Sequence, residues 1–323
     1  VALCFESKSN LRGGVMQALL VDRTAPGNLR LGSAPDPLPA ANESLIRVVA
    51  SSINPGDLYL DNAPDGAVPG YDAAGVVVQA AADGSGPAVG TPVVTLGFAG
   101  GWAELRAVRT DWIGVAPANA DLGALSTVPV AGATALRALH RVGPIIGRRV
   151  LVTGATGAVG RYAVQLARLG GAHVTASTSD PDGHGDELRE LGAHEVIRSP
   201  GQLDQAVAGV IDVVGGETLV QAYDKLAEGG TLVSVGNVAS TGERFPALAF
   251  SGHDGRNDRS ITSFFLGAHA GLSADLAWLA ARVADNTLTP PVARRDSWRD
   301  AGTTIQALHE GRVRGKIVLD IGQ

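Results

Sequence analysis

The stretch Val150-Leu151-Val152-Thr153-Gly154-Ala155-Thr156-Gly157-Ala158-Val159-Gly160 decides how this chain is read. An apolar run of strand type enters three glycines at intervals of three, and a helical pattern over 161–169 follows at once. Glycines at such a turn let the backbone bend tightly and approach a ligand closely. The first turn of the helix then offers unpaired N–H groups and a partial positive charge to a pyrophosphate. A glycine string alone is a weak signal. One that leaves a strand, opens a helix and begins a βαβ series meets the structural context the motif requires.

Working outward, candidate strands at 149–153, 173–177, 195–197, 210–214, 231–235 and 261–266 alternate with helical patterns at about 123–142, 158–170, 184–191, 202–206 and 217–227. Such alternation predicts a doubly wound parallel sheet with right-handed crossovers, an α/β fold. The preceding part differs. Short apolar or alternating runs at 17–21, 44–51, 75–79, 92–96 and 102–107 are separated by Pro, Gly, Asn and Asp, which predicts a mostly-β unit. The proline-rich stretch 34–39 cannot be helical. After the parallel sheet, 273–286 and 296–310 read as helices and 316–321 as a closing strand. Residues 1–15, before the single methionine Met16, are expected to be a vector-derived or poorly ordered extension.

Composition narrows the function. The 323 residues are 45% hydrophobic and 18% charged, enough for a large core and too apolar for disorder. A net charge of −6 without a basic block argues against nucleic acid and anionic membrane as partners. No apolar run approaches the roughly 18–20 residues of a membrane span. One cysteine, Cys4, excludes a disulfide scaffold and a cysteine-ligated zinc site, and points to the cytoplasm. The seven histidines show no metal-ligand spacing, and no Gly-x-Ser-x-Gly elbow occurs. No tyrosine is followed four residues later by lysine, which excludes a short-chain reductase pair.

The type of dinucleotide is read at the tip of the second strand. NAD readers place an acid there for the ribose 2′-OH. Here the tip is Ser177-Thr178-Ser179, small hydroxyls that leave room for a 2′-phosphate, with Arg198 at the end of the third strand as its charged partner. NADP is therefore favoured over NAD, with Arg198 as an ordinary surface arginine the alternative.

Several further motifs occur in order: Asn54-Pro55-Gly56-Asp57-Leu58-Tyr59, Pro69-Gly70-Tyr71-Asp72-Ala73-Ala74-Gly75, Gly100-Gly101-Trp102-Ala103-Glu104, and Pro129-Val130-Ala131-Gly132-Ala133-Thr134-Ala135. The glycine turn follows, then Asp212-Val213-Val214-Gly215-Gly216, Ser234-Val235-Gly236-Asn237, Phe264-Phe265-Leu266 and Gly315-Lys316. With these the chain, from Met16 onward, resembles the zinc-independent quinone oxidoreductase branch of the medium-chain dehydrogenase/reductase superfamily. The resemblance implies a Rossmann domain over 123–266. It implies a GroES-like, mostly-β catalytic domain over 16–122 and 267–323, with the cofactor between the two.

The resemblance also implies roles for residues. Tyr59 would contact the nicotinamide side, and Thr156, Gly157, Ala158 and Val159, framed by Gly154 and Gly160, the pyrophosphate. Gly236, Asn237, Phe264, Phe265 and Leu266 would hold the nicotinamide ribose and carboxamide, and Thr134 would face the cofactor. Val214 and Lys316, on the matched stretches, and Ser199, where the family's tyrosine after the third strand is replaced, complete the expected cofactor site. The positions that carry catalytic zinc in related alcohol dehydrogenases hold Asn54, Tyr71 and Val130-Ala131, so no metal is expected. The implied function is NADPH-dependent hydride transfer to a quinone or an α,β-unsaturated carbonyl, a small-molecule substrate. Asn54 and Tyr59 are the candidate donors to the developing oxyanion. The alternative is a non-catalytic NADPH-binding sensor or structural protein, since fold does not dictate function. A homodimer is expected through the apolar edge strand at 261–266.

Overall fold

The apolar runs pair into three sheets in the computed structural model, which describes residues 14–58, 60, 63–309 and 315–322. β1 (Val15–Val21) and β2 (Leu29–Pro35) form an antiparallel hairpin. β3 (Glu43–Ser52), β4 (Asp72–Gln79), β5 (Pro92–Leu96), β6 (Leu105–Arg109) and β7 (Ile113–Val115) form an antiparallel sheet in which β3 pairs with both β4 and β6. The chain then passes through α1 (Leu122–Leu125), a π-type turn (Val128–Gly132) and α2 (Ala133–Val142).

Next come β8 (Arg149–Val152), α3 (Ala158–Leu169), β9 (His173–Ser177), α4 (Pro181–Glu190), β10 (Glu195–Ile197), β11 (Val207–Asp212), α5 (Gly216–Asp224), β12 (Leu226–Ser234) and β13 (Ser260–Ser263). These strands make an all-parallel sheet in the order β10-β9-β8-β11-β12-β13. The order reverses between β8 and β11. In such sheets ligands bind beyond the carboxyl ends of the strands at that point, where the glycine turn lies. The end of the chain returns to the antiparallel sheet. α6 (Ser273–Ala284) packs on β7, then come β14 (Val292–Ser297), α7 (Ala301–His309) and β15 (Lys316–Asp320). β15 pairs parallel with β14 and antiparallel with β3, setting Val318 opposite Ser52.

Val150, Leu151 and Val152 are wholly buried, as a central parallel strand covered on both faces requires. One apolar cluster runs from Val93, Val94 and Ile46 through Leu125 and Leu279 to Val150 and Val174, so the two large sheets share a core across α2 and α6. No helix among the described residues is long and apolar enough to cross a membrane.

Several local expectations change. The helix expected at about 123–142 is broken into α1, the π-type turn and α2. Pro129 in the turn has no N–H for a continuous ladder. The helix expected at 202–206 is absent; a 3-10 turn, Pro200–Gln202, includes only its first residue. Strands β2, β7 and β14 were not foreseen, and the strand expected at 261–266 ends at Ser263. Val15, assigned to the extension, already pairs with Pro35 in β1; residues 1–13 lie outside the described residues.

Candidate functional site

The glycine turn has the geometry its spacing implies. Gly154 takes φ +59° with Val214 packed against it. A Cβ at Gly160 would lie 2.4 Å from the Gly154 carbonyl oxygen, so only glycine lets α3 sit this close to the turn. A Cβ at Gly157 would meet only that same oxygen, at 3.3 Å, and its other side is open. Gly157 is the N-cap of α3 and no side chain caps its free N–H groups. An open glycine before an uncapped helix start fits a pyrophosphate. Behind it, Thr153 Oγ1 donates to Asp212 Oδ1 at 2.6 Å, and Asp212 Oδ2 accepts from Gly215 N at 2.9 Å, tying the β8 and β11 loops together. Burial raises the Asp212 carboxyl.

A cavity of about 610 Å³ runs from this turn to the antiparallel sheet. The glycine-turn wall comprises Gly154 and Thr156–Val159, and Thr134 and Val214 face it from α2 and the β11 loop. Phe264, Phe265 and Leu266 line it just beyond β13. The opposite wall is Asn54, Tyr71, Phe98 and Lys316. Phe98 stacks on Phe265 at 6.0 Å and meets Tyr71 edge-on, also at 6.0 Å. Both phenylalanines remain more than half exposed, at 52% and 63%. A larger hollow of about 800 Å³ lies between α2, α3 and α6, lined mainly by aliphatic chains and Trp278 and away from the glycine turn.

Beneath the Asn54 wall lies a buried charge cluster. Lys316 is 2% exposed and places its three N–H donors on Ser52 Oγ (2.6 Å), Asn54 Oδ1 (2.7 Å) and Asp72 Oδ2 (2.8 Å). Asp72 Oδ1 accepts from Val130 N at 2.7 Å, reaching into the π-type turn. Asn54 Nδ2 donates to Asp72 Oδ2 at 2.8 Å and Asp57 Oδ2 at 3.1 Å. Asp57 also accepts from Asn54 N at 2.7 Å and Tyr71 N at 2.9 Å. Burial first, then the facing Asp72 carboxylate, pushes the Asp57 carboxyl up to about 7. Arg106, fully buried, donates to the Tyr71 carbonyl at 2.9 Å and to Thr95 Oγ1 at 3.1 Å. Burial draws its guanidinium down to about 10, against the pull of Asp72 and Asp57. Two carboxylates thus face two cations, and every donor of Lys316 and of the Asn54 amide is engaged.

That engagement changes two assignments. Asn54 has no free N–H for an oxyanion; its amide is a structural link between Lys316 and the two carboxylates. Lys316 turns its ammonium toward the carboxylates rather than toward a cofactor. Tyr59 lies outside the described residues. Sequence reasoning assigned no role to Asp57, Asp72 or Arg106. The available signal was an acid opening the apolar run Asp72-Ala73-Ala74-Gly75-Val76 and an arginine inside β6.

At the tip of β9, Ser177 and Thr178 are buried, at 4% and 5% exposure, and only Ser179 of the three hydroxyls is exposed. Ser177 Oγ is turned to the Arg198 carbonyl at 3.5 Å, and Thr178 Oγ1 accepts from Asp180 N at 3.3 Å. The Arg198 guanidinium is exposed and held by the Ser179 carbonyl (2.5 Å) and Asp182 (3.2 Å). Ser199 serves as the cap of a 3-10 turn in a reciprocal box with Gln202. Gly236 and Asn237 follow β12; a Cβ at Gly236 would crowd the Val213 carbonyl at 2.9 Å, and Asn237 is exposed beside Gly215.

Comparison with known proteins agrees with this architecture. Residues 40–118 match the alcohol dehydrogenase GroES-like domain, and residues 191–319 match a family described as zinc-binding dehydrogenase. The Bacillus subtilis (strain 168) protein YhfP, assigned as a quinone oxidoreductase, is 34% identical over 233 residues, covering 64% of this chain and 68% of its own. The 2-methylene-furan-3-one reductase of Solanum lycopersicum is 31% identical over 228 residues, 63% of this chain and 58% of that enzyme. The solved quinone oxidoreductase from Coxiella burnetii superposes with a TM-score of 0.79 at 26% identity, over 95% of this chain and 100% of that one.

Proposed function

Because the chain belongs to the quinone oxidoreductase branch of the medium-chain dehydrogenase/reductase superfamily, we propose that it is an NADPH-dependent reductase of quinones or α,β-unsaturated carbonyls that works without zinc. The observation that carries the reading is the continuous cavity from the uncapped glycine turn to the aromatic wall of Phe98 and Tyr71. When bound, a reduced nicotinamide supplies the hydride. Gly154, Thr156, Gly157, Ala158, Val159 and Gly160 hold the pyrophosphate. Thr134, Gly236, Asn237 and Phe264–Leu266 hold the nicotinamide end. The apolar walls exclude water from the reacting carbons.

Zinc independence is supported by the donor set. Asp57 and Asp72, bonded to the lining residues Asn54, Tyr71 and Lys316, are already engaged by Lys316, Asn54, Ser52 and backbone N–H groups. Preference for NADPH is supported by the absence of an acid at the tip of β9 and by the exposed Arg198 guanidinium. That guanidinium would exchange Asp182 for a 2′-phosphate. We take 16–122 with 267–323 as the catalytic domain and 123–266 as the cofactor domain. The exposed edge strand β13, where Ile261 is 39% exposed, supports a homodimer. A cytoplasmic location accompanies this reading, in keeping with a single cysteine. The test is oxidation of NADPH and NADH by purified protein with 9,10-phenanthrenequinone or methyl vinyl ketone, before and after dialysis against a chelator. Substrate-dependent oxidation that survives chelation and prefers NADPH is expected. Absence of substrate-dependent oxidation refutes the reading.

A further inference from the structure

Reducing a quinone or enone leaves negative charge on a carbonyl oxygen, and a donor must meet it. Among the described residues lining the cavity, the polar side chains are Asn54, Tyr71, Thr134, Thr156 and Lys316. Asn54 and Lys316 have no hydrogen to spare. Thr156 belongs to the phosphate turn. Two hydroxyls remain, Thr134 and Tyr71, and of the two a phenol is far the stronger acid.

Tyr71 is also held in place as a donor should be. Its N–H is bonded to the Asp57 carboxylate at 2.9 Å. Its carbonyl accepts from Arg106 at 2.9 Å and from Gly97 N at 3.0 Å. Its ring lies against Gly56, where a Cβ would come within 2.8 Å of the ring, and against the edge of Phe98. The backbone and ring are thus fixed by buried charges and close contacts. The hydroxyl, by contrast, has among the described residues only a long bond of 3.4 Å to the Gly56 carbonyl. A rigid mount carrying a loosely committed hydroxyl in a largely apolar cavity is the arrangement expected of a preorganised oxyanion donor.

We propose that the Tyr71 hydroxyl donates a hydrogen bond, and then its proton, to the substrate carbonyl oxygen. The step rests on the proposed reductase activity. The reduced nicotinamide gives a hydride, that is two electrons and one hydrogen, to the conjugated carbon. The carbon–carbon π pair shifts to form the enolate. The Tyr71 O–H bond breaks as the new O–H bond forms, and the phenolate left behind regains a proton from solvent. The enol then returns its O–H proton to solvent and takes one at the α-carbon, giving the saturated ketone; for a quinone the enol is one hydroxyl, and the ring carbon that took the hydride loses a proton to solvent as the second oxygen gains one, giving the hydroquinone. Burial, with the Asp57 carboxylate adding to it, pushes the phenol pKa up, so Tyr71 stays protonated at neutral pH.

The test compares Tyr71→Phe, Gly56→Ala, Thr134→Val and Tyr59→Phe with the wild type. Tyr71→Phe should lower kcat for an enone roughly 100-fold or more, the range of general acid catalysis, with the NADPH dissociation constant unchanged. In cofactor-free protein, binding of 1-tetralone, which presents a carbonyl to the cavity, should weaken about 2- to 10-fold in Tyr71→Phe, the loss of one neutral hydrogen bond. Gly56→Ala should lower kcat with the hydroxyl retained, because the ring is displaced. Wild-type kcat and tetralone binding in Tyr71→Phe would overturn the assignment. So would a loss that falls on Thr134→Val or Tyr59→Phe while Tyr71→Phe is silent. A wild type inactive toward every quinone and enone brings down the reductase reading and this step with it; an active wild type with an unaffected Tyr71→Phe brings down this step alone.

Discussion

Lys316→Met removes one of two buried cations that face two buried carboxylates. Lys316 and Asp72 are 2% and 0% exposed, so solvent does not screen the change. The substitution keeps most of the side-chain volume but leaves Asn54 Oδ1 without its donor and Asp72 without its ion partner. Breaking a buried pair by removing one member costs about 3–5 kcal/mol. With an unfolding entropy of ~2.1 cal/mol/K per residue over 323 residues, that loss lowers Tm by about 4–7 °C. Lys316 holds the Asp57 carboxyl down, so the variant raises that group above its present value of about 7. The loss should therefore be largest at about pH 8 and shrink toward pH 5, as the carboxyl takes up a proton. Lys316→Met/Asp72→Asn restores charge balance and should recover at least ~1 kcal/mol relative to the single variant, a coupling typical of contacting residues. Urea and thermal unfolding of the cofactor-free proteins measure all three. A loss below about 1 kcal/mol, or a double variant whose losses simply add, refutes the account of the cluster.

In Asp57→Asn the pH dependence of stability should change. The folded carboxyl sits at about 7 against ~3.9 unfolded. Between those values the folded state holds a proton that the unfolded chain has released, so stability falls as pH rises, by on the order of 1 kcal/mol per unit. The variant should lose that slope in urea titrations between about pH 4 and 7, and a slope equal to the wild type's would count against the assignment. Arg198→Ala should weaken NADPH binding about 10- to 100-fold, the value of one charge-assisted bond, and leave NADH untouched; equal effects on both cofactors would remove the 2′-phosphate role. Gly160→Ala places a Cβ 2.4 Å from the Gly154 oxygen, so it should cost about 1–3 kcal/mol through overpacking and weaken cofactor binding. Unchanged calorimetric binding and stability would show that α3 can move away freely.

The parts legible from the chain alone are those set by local pattern. The glycine turn declares itself because φ +59° at Gly154 favours glycine and the close approach at Gly160 leaves no room for a Cβ. The central parallel strands β8 and β11 declare themselves because strands buried on both faces are nearly continuous apolar runs. The broken helix over 122–142 and the late strand β14 were less legible. Pro129 hides within an apolar pattern, and Val292–Ser297 carries no apolar alternation: Ala293, Arg294 and Arg295 are exposed and Asp296 is turned to Thr304.

What only the tertiary structure decided is the state of each polar group at the site. Asn54 was a reasonable donor from its place in a loop before Pro55. Yet its N–H groups are taken by Asp57, three residues on, and by Asp72 from another strand, and its oxygen by Lys316 from the far end of the chain. β15 carries that lysine to β3 by pairing Val318 with Ser52, a contact across more than 260 residues that no local pattern encodes. The same pairing brings Lys316 to the Asn54 amide oxygen. Sequence sets which groups exist and which elements carry them. Hydrogen-bond saturation, which depends on every group brought within about 3 Å, is settled only when distant strands meet.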